Sequence, residues 1–329
     1  MKQSTIRDVA ESAGVSVAAV SRVLNDGPVA EATRARVLAA IDELDYRPRT
    51  AARELRSQSQ STLGLVLADL ANPFFAQLAD LIVWEARARG AQVVMLTTRE
   101  DATFEDDAIR ALLSRRVAGV IATPTAENSP AWSRLSEAGS RLVFVDRSVE
   151  GVSADIVRID NETISHEATS RLLQMGHTRI GIVAGPQGSS TGRERVEGYR
   201  RAFAERGLDV DDALVRFVPF RGEQGADAVG ALLGMNDPMT ALLIANTAQS
   251  TVCARRLRMG GIDIPGQLSV VAFGDEPWTE LHDPPISIVR QPVSMLATHA
   301  VELALRDAGE PVELRVAAEY VERASVARR

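Results

Sequence analysis

The sequence predicts a small all-α helix-turn-helix domain followed by an α/β body made of two doubly wound parallel-sheet subdomains. Three observations carry that prediction. Two short helices with apolar stripes, parted by a glycine, occupy the first twenty-five residues; a polar, low-complexity break follows near residue 60; and short apolar strands then alternate with amphipathic helices in two successive sets.

In the first helix Ile6, Val9, Ala10 and Ala13 recur at i, i+3, i+4 and i+7, which makes one face apolar. Thr5 and Asp8 have capping-box spacing, Gly14 supplies the positive φ of a sharp turn, and Ser16 is placed to cap the next helix. There Val20, Val23 and Leu24 form the buried stripe. Val17, Ala18, Ser21, Arg22 and Asn25 fall on the other face, where a helix seated in a major groove meets base edges and phosphates. A third helix is expected over 33–44, with Val37, Ile41 and Leu44 inward. Any three-helix packing unit would show similar stripes, so the rest of the chain has to decide.

At 329 residues and 45% apolar, the chain can bury more than one core. Its one cysteine, Cys253, rules out an internal disulfide framework and fits a reducing compartment. With no charged-then-apolar leader and no eighteen-residue apolar run, the expectation is a cytoplasmic chain with no membrane partner. The net charge of −7 is unevenly spread: residues 1–56 hold nine Lys/Arg against eight Asp/Glu, and the remainder 28 against 36. The acidic excess therefore belongs to the body, and nonspecific affinity for nucleic acid should be modest.

Ser57-Gln58-Ser59-Gln60-Ser61 marks the boundary. Beyond it, apolar runs at 63–68, 93–96, 119–122 and 142–145 read as strands, with a helix over 75–89. The rhythm restarts at 180–183, 214–218, 241–244 and 268–271. Two such sets imply two open sheets whose C-terminal strand ends face one ligand cleft.

The segment Asp45-Tyr46-Arg47-Pro48-Arg49-Thr50-Ala51-Ala52-Arg53-Glu54-Leu55-Arg56 carries the argument further. Together with Thr5 to Asn25 it resembles the lactose/galactose-repressor family of bacterial transcription regulators. That family's signature is T-I/L-x-D-V-A-x-x-A-G-V-S-x-x-T-V-S-R-V-L-N, followed by Y-x-P-N-x-x-A-x-x-L, and the likeness extends over essentially the whole chain. It implies a homodimer on a double-stranded, pseudo-palindromic operator and a periplasmic-binding-protein-like sensor for a small carbohydrate-type effector. It implies neither an enzyme nor a cofactor. The domains would run 1–46 for the reader, 47–60 for a hinge helix and linker, 61–159 with 290–320 for the first sensor subdomain, and 160–289 with 321–329 for the second.

The resemblance also assigns roles. Arg22 would fork onto guanine O6/N7, Val17 and Ala18 would set sequence preference by methyl contact, and Thr5, Ser16, Ser21 and Asn25 would meet the backbone. Ala19 replaces the usual Thr. In the hinge, Leu55 matches a leucine that wedges a minor-groove step, Ala52 would let two hinge helices touch, and Arg49 replaces a capping Asn while adding a phosphate-seeking charge. Effector contacts would come from Asp69, Phe74, Phe75, Arg147, Asn161, Arg195, Phe220, Asn246 and Asp275. Two departures stand out: Asn246-Thr247 where the family has Asn-Asp, and Gly274-Asp275 where it has Asp-Asp. Losing two carboxylates while keeping Arg147 and Arg195 suggests an effector bearing a carboxylate or phosphate, a sugar acid or sugar phosphate. His166, His177, His282 and His299 lack metal-ligand spacing. Gly185-Pro186-Gln187-Gly188 is neither a dinucleotide fingerprint nor a P-loop, and no nucleophile triad is legible.

Overall fold

The computed structural model describes residues 4–24, 27–46, 62–115, 117–125, 129–307 and 309–329. It divides into two units, 1–60 and 61–329, each taken by itself. Asn25, Arg49, Ala52 and Leu55, and with them the hinge, lie outside the described residues.

The first unit contains α1 (Ile6–Ser12), α2 (Val17–Leu24) and α3 (Glu31–Glu43). Its core is Val9, Ala10, Ala13, Val20, Val23, Val37 and Ala40, with Ile6, Leu24, Ile41 and Leu44 packed around it. The capping box forms: Thr5 Oγ1 accepts from the Asp8 N–H at 3.4 Å, and Asp8 Oδ2 accepts from the Thr5 N–H at 2.6 Å. Gly14 has φ +60°, and Ser16 Oγ accepts from the Ala19 N–H at 3.2 Å. Helix α3 starts two residues earlier than the apolar pattern suggests, because Glu31 places a carboxylate in the first turn, where the helix dipole favours it.

The second unit begins with β1 (Thr62–Leu67), α4 (Pro73–Ala88), β2 (Gln92–Thr97), α5 (Ala102–Arg115), β3 (Gly119–Ala122), α6 (Ser129–Glu137), β4 (Arg141–Val145) and β5 (Asp155–Ile159). It continues through α7 (Asn161–Gln174), β6 (Ile180–Ala184), α8 (Ser190–Ala204), β7 (Val215–Phe217), α9 (Gln224–Leu233), β8 (Ala241–Ala245), α10 (Thr247–Met259) and β9 (Ser269–Phe273). The last elements are α11 (Pro277–Leu281), β10 (Ser287–Arg290), α12 (Val293–Leu305), β11 (Glu313–Val316) and β12 (Glu319–Val321).

These strands form two sheets, ordered β11-β5-β4-β3-β1-β2 and β12-β10-β9-β8-β6-β7. The second repeats the first strand for strand. All pairings are parallel except β10 with the edge strand β12. Helices cover both faces, so the inner strands read as unbroken apolar runs: Leu65, Val66 and Leu67 of β1 and all of β8 are buried. The strand order reverses between β1 and β3 and again between β6 and β8, which opens a crevice at each C-terminal edge.

The chain crosses between the sheets three times, after β5, after β10 and between β11 and β12. The last crossing precedes Glu319, so β12 pairs in the second sheet, whereas the sequence pattern carries the first subdomain to residue 320. Four strands, β5, β10, β11 and β12, have no apolar run long enough to read. In β5 the charged Asp155 and Arg158 are buried but paired, Asp155 with Arg141 and Arg306, and Arg158 with Glu194 and Glu313. Strands β11 and β12 are edges, where exposed charge is the rule.

Candidate functional site

In the first unit, α2 turns Val17, Ala18 and Arg22 to solvent while Val20 and Val23 pack inward. Arg22 Nε donates to its own helix at Ala18 O, 3.3 Å, which lays the guanidinium along the exposed face. Ser21 is half-buried, and Thr5 and Ser16 are both engaged as caps.

In the second unit, the loops at the C-terminal strand ends converge on a cleft between the two sheets. Asn72, Phe74 and Phe75 come from the β1 side, Asp146 and Arg147 follow β4, and Phe220 follows β7. Asn246 and Thr247 follow β8, Gln291 follows β10, and Thr191 and Arg195 project from α8. Asn72 has a second task, since its Oδ1 caps α4 by accepting from the Phe74 N–H at 3.1 Å. The cleft is closed down to about 20 Å³, room for about one water and not for a sugar ring. The reason is Arg147, whose guanidinium lies 3.9 Å from the centroid of Phe220 and 5.4 Å from that of Phe75. It covers the face of Phe220, which the resemblance names as an effector contact. Gly185 permits that packing, because a Cβ there would lie 2.6 Å from the Phe220 ring.

Two arginines dominate the electrostatics. Arg147 donates from Nη1 and Nη2 to the two oxygens of Glu100 at 2.8 and 2.9 Å. Burial pulls this guanidinium's pKa down, but Glu100, with Asp146 and Glu105 adding to it, more than offsets that, so Arg147 stands above its ordinary value. Arg195 donates to Asn161 Oδ1 at 2.8 Å and to the Ala245 carbonyl at 3.1 Å, and stacks 4.3 Å from Phe273. Burial pushes it down to about 10, and it stays charged at neutral pH. Asp146 is buried beside both; desolvation raises its carboxyl above the usual range against the pull of Arg147 and Arg195. Asn246 is 1% exposed, and among the described residues neither of its amide atoms has a hydrogen-bond partner, an arrangement that buried polar groups rarely show.

Of the sequence-predicted effector residues, Phe74, Phe75, Arg147, Arg195, Phe220 and Asn246 line the cleft. Asn161 orients Arg195 from behind. Asp69 is not in the lining; it pairs with Arg221, joining the β1 side of the cleft to the β7 side. Asp275 is also elsewhere, held by Arg290 and Arg323 at 2.8 and 2.7 Å. The sequence reading overlooked Glu100, Asp146, Thr191 and Gln291. Asp146 had a visible signal, a strand-end carboxylate beside Arg147, while Glu100 lies far upstream with nothing local to mark it. These two carboxylates bear on the charge of the cleft: Glu100 pairs with Arg147, and Asp146 lies close enough to Arg195 to favour its charged form. The departures themselves meet, because a Cβ on Gly274 would lie 2.7 Å from the Thr247 methyl.

A larger cavity of about 300 Å³ opens at the opposite, N-terminal strand ends, beside Arg141, Asp155 and Arg306. Its charges already pair with one another, and it sits away from the sheet edges that bind ligands. Among the described residues no cluster of metal-ligating side chains occurs, and no helix is long and apolar enough to cross a membrane.

A helix-turn-helix reader joined to a two-sheet body with a polar cleft at the strand ends defines a ligand-sensing DNA-binding protein. Comparison with known proteins gives the family. Residues 5–49 match the bacterial regulatory proteins of the lacI family, and residues 60–302 match the periplasmic binding proteins and sugar binding domain of the LacI family. The HTH-type transcriptional regulator DegA of Bacillus subtilis is 33% identical, over 88% of this chain and 87% of its own. The regulator GalR of Escherichia coli is also 33% identical, over 92% and 88%. Among solved structures, the transcriptional regulator CelR in complex with cellobiose superposes with a TM-score of 0.74 at 31% identity, over 98% of this chain and 100% of that one. The lac repressor dimer bound to operator and the anti-inducer ONPF gives 0.82 at 25%, over 99% and 100%. The chain belongs to the LacI family: it is a sugar-responsive, DNA-binding transcription regulator, and its relatives are regulators rather than enzymes.

Proposed function

We propose that this chain is a homodimeric repressor that holds a pseudo-palindromic operator in the cytoplasm and responds to a neutral carbohydrate bound in the cleft. The observation that carries the effector class is the buried Asn246 amide, its donor and acceptor both unpaired among the described residues, in a cleft where Glu100 pairs with Arg147 and Asp146 lies near Arg195. Sugar hydroxyls donate and accept together, and so match that amide and the Asp146 carboxylate. The charge balance thus favours a neutral sugar over the sugar acid suggested by the sequence. A thermal-shift series tests this. Neutral hexoses and disaccharides should raise Tm and their uronic acids should not, and stabilisation by the acids alone would overturn it.

For the reader, α2 would enter the major groove with Arg22 on a guanine and Val17 and Ala18 against thymine methyls. Half-sites would lie about 10 bp apart. Arg22→Ala should relax base preference at one position of each half-site while leaving the sugar response intact. Support for the dimer comes from apolar surface: Trp84 and Val83 on α4 are 69% and 43% exposed, and Met95 on the neighbouring edge strand β2 is 44% exposed.

A further inference from the structure

We infer that Glu100 sets the charge selectivity of the effector cleft. By accepting from both Nη atoms of Arg147 and balancing its charge, it withholds that cation from acidic ligands and leaves the cleft to neutral ones. The inference rests on the carbohydrate-binding reading given above and adds the residue that decides which carbohydrates enter.

The backbone around this pair is unusual. Thr98 to Asp101 form a tight turn, closed by the Asp101 N–H donating to Thr98 O at 3.0 Å. Its two central residues, Arg99 and Glu100, have φ of 54° and 62°. Consecutive left-handed residues are ordinarily glycine, asparagine or aspartate, and other side chains there carry strain. Among the described residues four non-glycines have positive φ, and two of them, Glu100 and Asp146, flank Arg147. The turn is also tied to the end of β1, since the Thr98 N–H donates to Leu67 O and the Glu100 N–H to Ala68 O, each at 3.0 Å. Glu100 and Arg147 are therefore both carried by the first sheet, the one on the turn after β2 and the other at the end of β4.

The chemical consequence follows from the charges. Arg147 is 4% exposed, each Nη gives one of its two N–H groups to Glu100, and Nε lies 3.6 Å from Asp146 Oδ2, so N–H donors remain but the positive charge is already balanced. An incoming carboxylate would have to share this guanidinium with Glu100 inside a site that also holds Asp146. Like charges at such distances repel strongly in a desolvated cleft. A neutral sugar meets no such repulsion, and it can use the Asp146 and Asn246 groups that Glu100 does not touch.

Replacing Glu100 should reverse the selectivity. The test is the thermal stability of the full chain as wild type, Glu100→Gln and the double variant Glu100→Gln/Arg147→Gln. The probes are sodium sulfate against sodium chloride at equal ionic strength, and D-galactose and D-glucose against their uronates. The single variant is expected to gain a Tm rise of several degrees with sulfate and with at least one uronate, beyond the general effect of sulfate seen in wild type; the double variant should lose this gain. Glu100→Gly removes the carboxylate while suiting the left-handed backbone, and gives the same comparison if the Gln variant is too unstable to purify. The inference is overturned if wild type already takes up the uronates, if the Glu100 variants match wild type with every anion, or if the gain survives loss of Arg147. Failure of neutral sugars to shift any variant would instead count against the carbohydrate reading, and the sulfate comparison would still decide for Glu100.

Discussion

Asn246 is the residue at which folding and binding are most clearly in conflict. Its amide is buried after β8 with neither the oxygen nor the nitrogen paired among the described residues. An unsatisfied buried polar group costs about 1–3 kcal/mol, so Asn246→Ala should leave the ligand-free protein as stable as wild type or up to roughly 1–2 kcal/mol more stable. The same change should weaken sugar binding at least tenfold. Chemical denaturation and a sugar titration check the two halves separately, and a large loss of stability would mean the amide is satisfied in the free protein. At this scale the sequence is readable where a residue follows a strand end: Arg147 and Asn246 stand directly off the C-termini of apolar runs, whereas Arg195, inside α8, is assigned by the resemblance alone. Glu100 is not readable, because its importance comes from a partner 47 positions away and from backbone angles that no residue type announces. Asp69 and Asp275 mislead for the opposite reason, since their positions suit a ligand while arginines on neighbouring loops and strands claim their oxygens.

Elements whose pattern serves only packing were the most legible. The stripes of α1 and α2 and the runs of β1, β3 and β8 appear where the periodicity puts them. Strands β5, β11 and β12 escaped because their charges are satisfied by tertiary pairing or by solvent, which one-dimensional apolarity does not register. The C-terminal segment after β12 shows how far such tertiary ties reach. His177 joins two distant parts of the second unit, with Nδ1 2.9 Å from Thr240 Oγ1 and Nε2 3.0 Å from the Ala327 carbonyl. Burial holds its pKa below the ordinary value, only partly opposed by the Ala327 carbonyl. The unfolded chain therefore takes up the proton first. The stabilising contribution is complete above about pH 6.5, the ordinary histidine value, and is lost as pH falls through the lower folded value. Tm measured from pH 7.5 to 5.5 should decline, and His177→Gln should flatten that decline. An unchanged slope would show that His177 is not the titrating group.

As a whole molecule, the chain joins a reader to a sensor, and each depends on features outside itself. A single α2 would offer, on the proposed reading, one arginine for a guanine and two small apolar side chains, too little for tight, specific binding alone. Dimerisation through α4 and β2 would place two readers on one DNA. Trp84→Glu, which puts a charge on the most exposed residue of that surface, should shift sedimentation from dimer to monomer and lower operator affinity about 100-fold. Retention of the dimer would move the interface elsewhere.

The central claim is that occupancy of the cleft changes the grip on DNA. It is tested most directly by fluorescence anisotropy of the full chain on a duplex it selects from a random pool, titrated with the neutral sugar that raises its Tm most. The account predicts that saturating sugar changes operator affinity at least tenfold, and that Asn246→Ala binds the duplex normally yet no longer responds. Unchanged operator affinity at full sugar occupancy would contradict it.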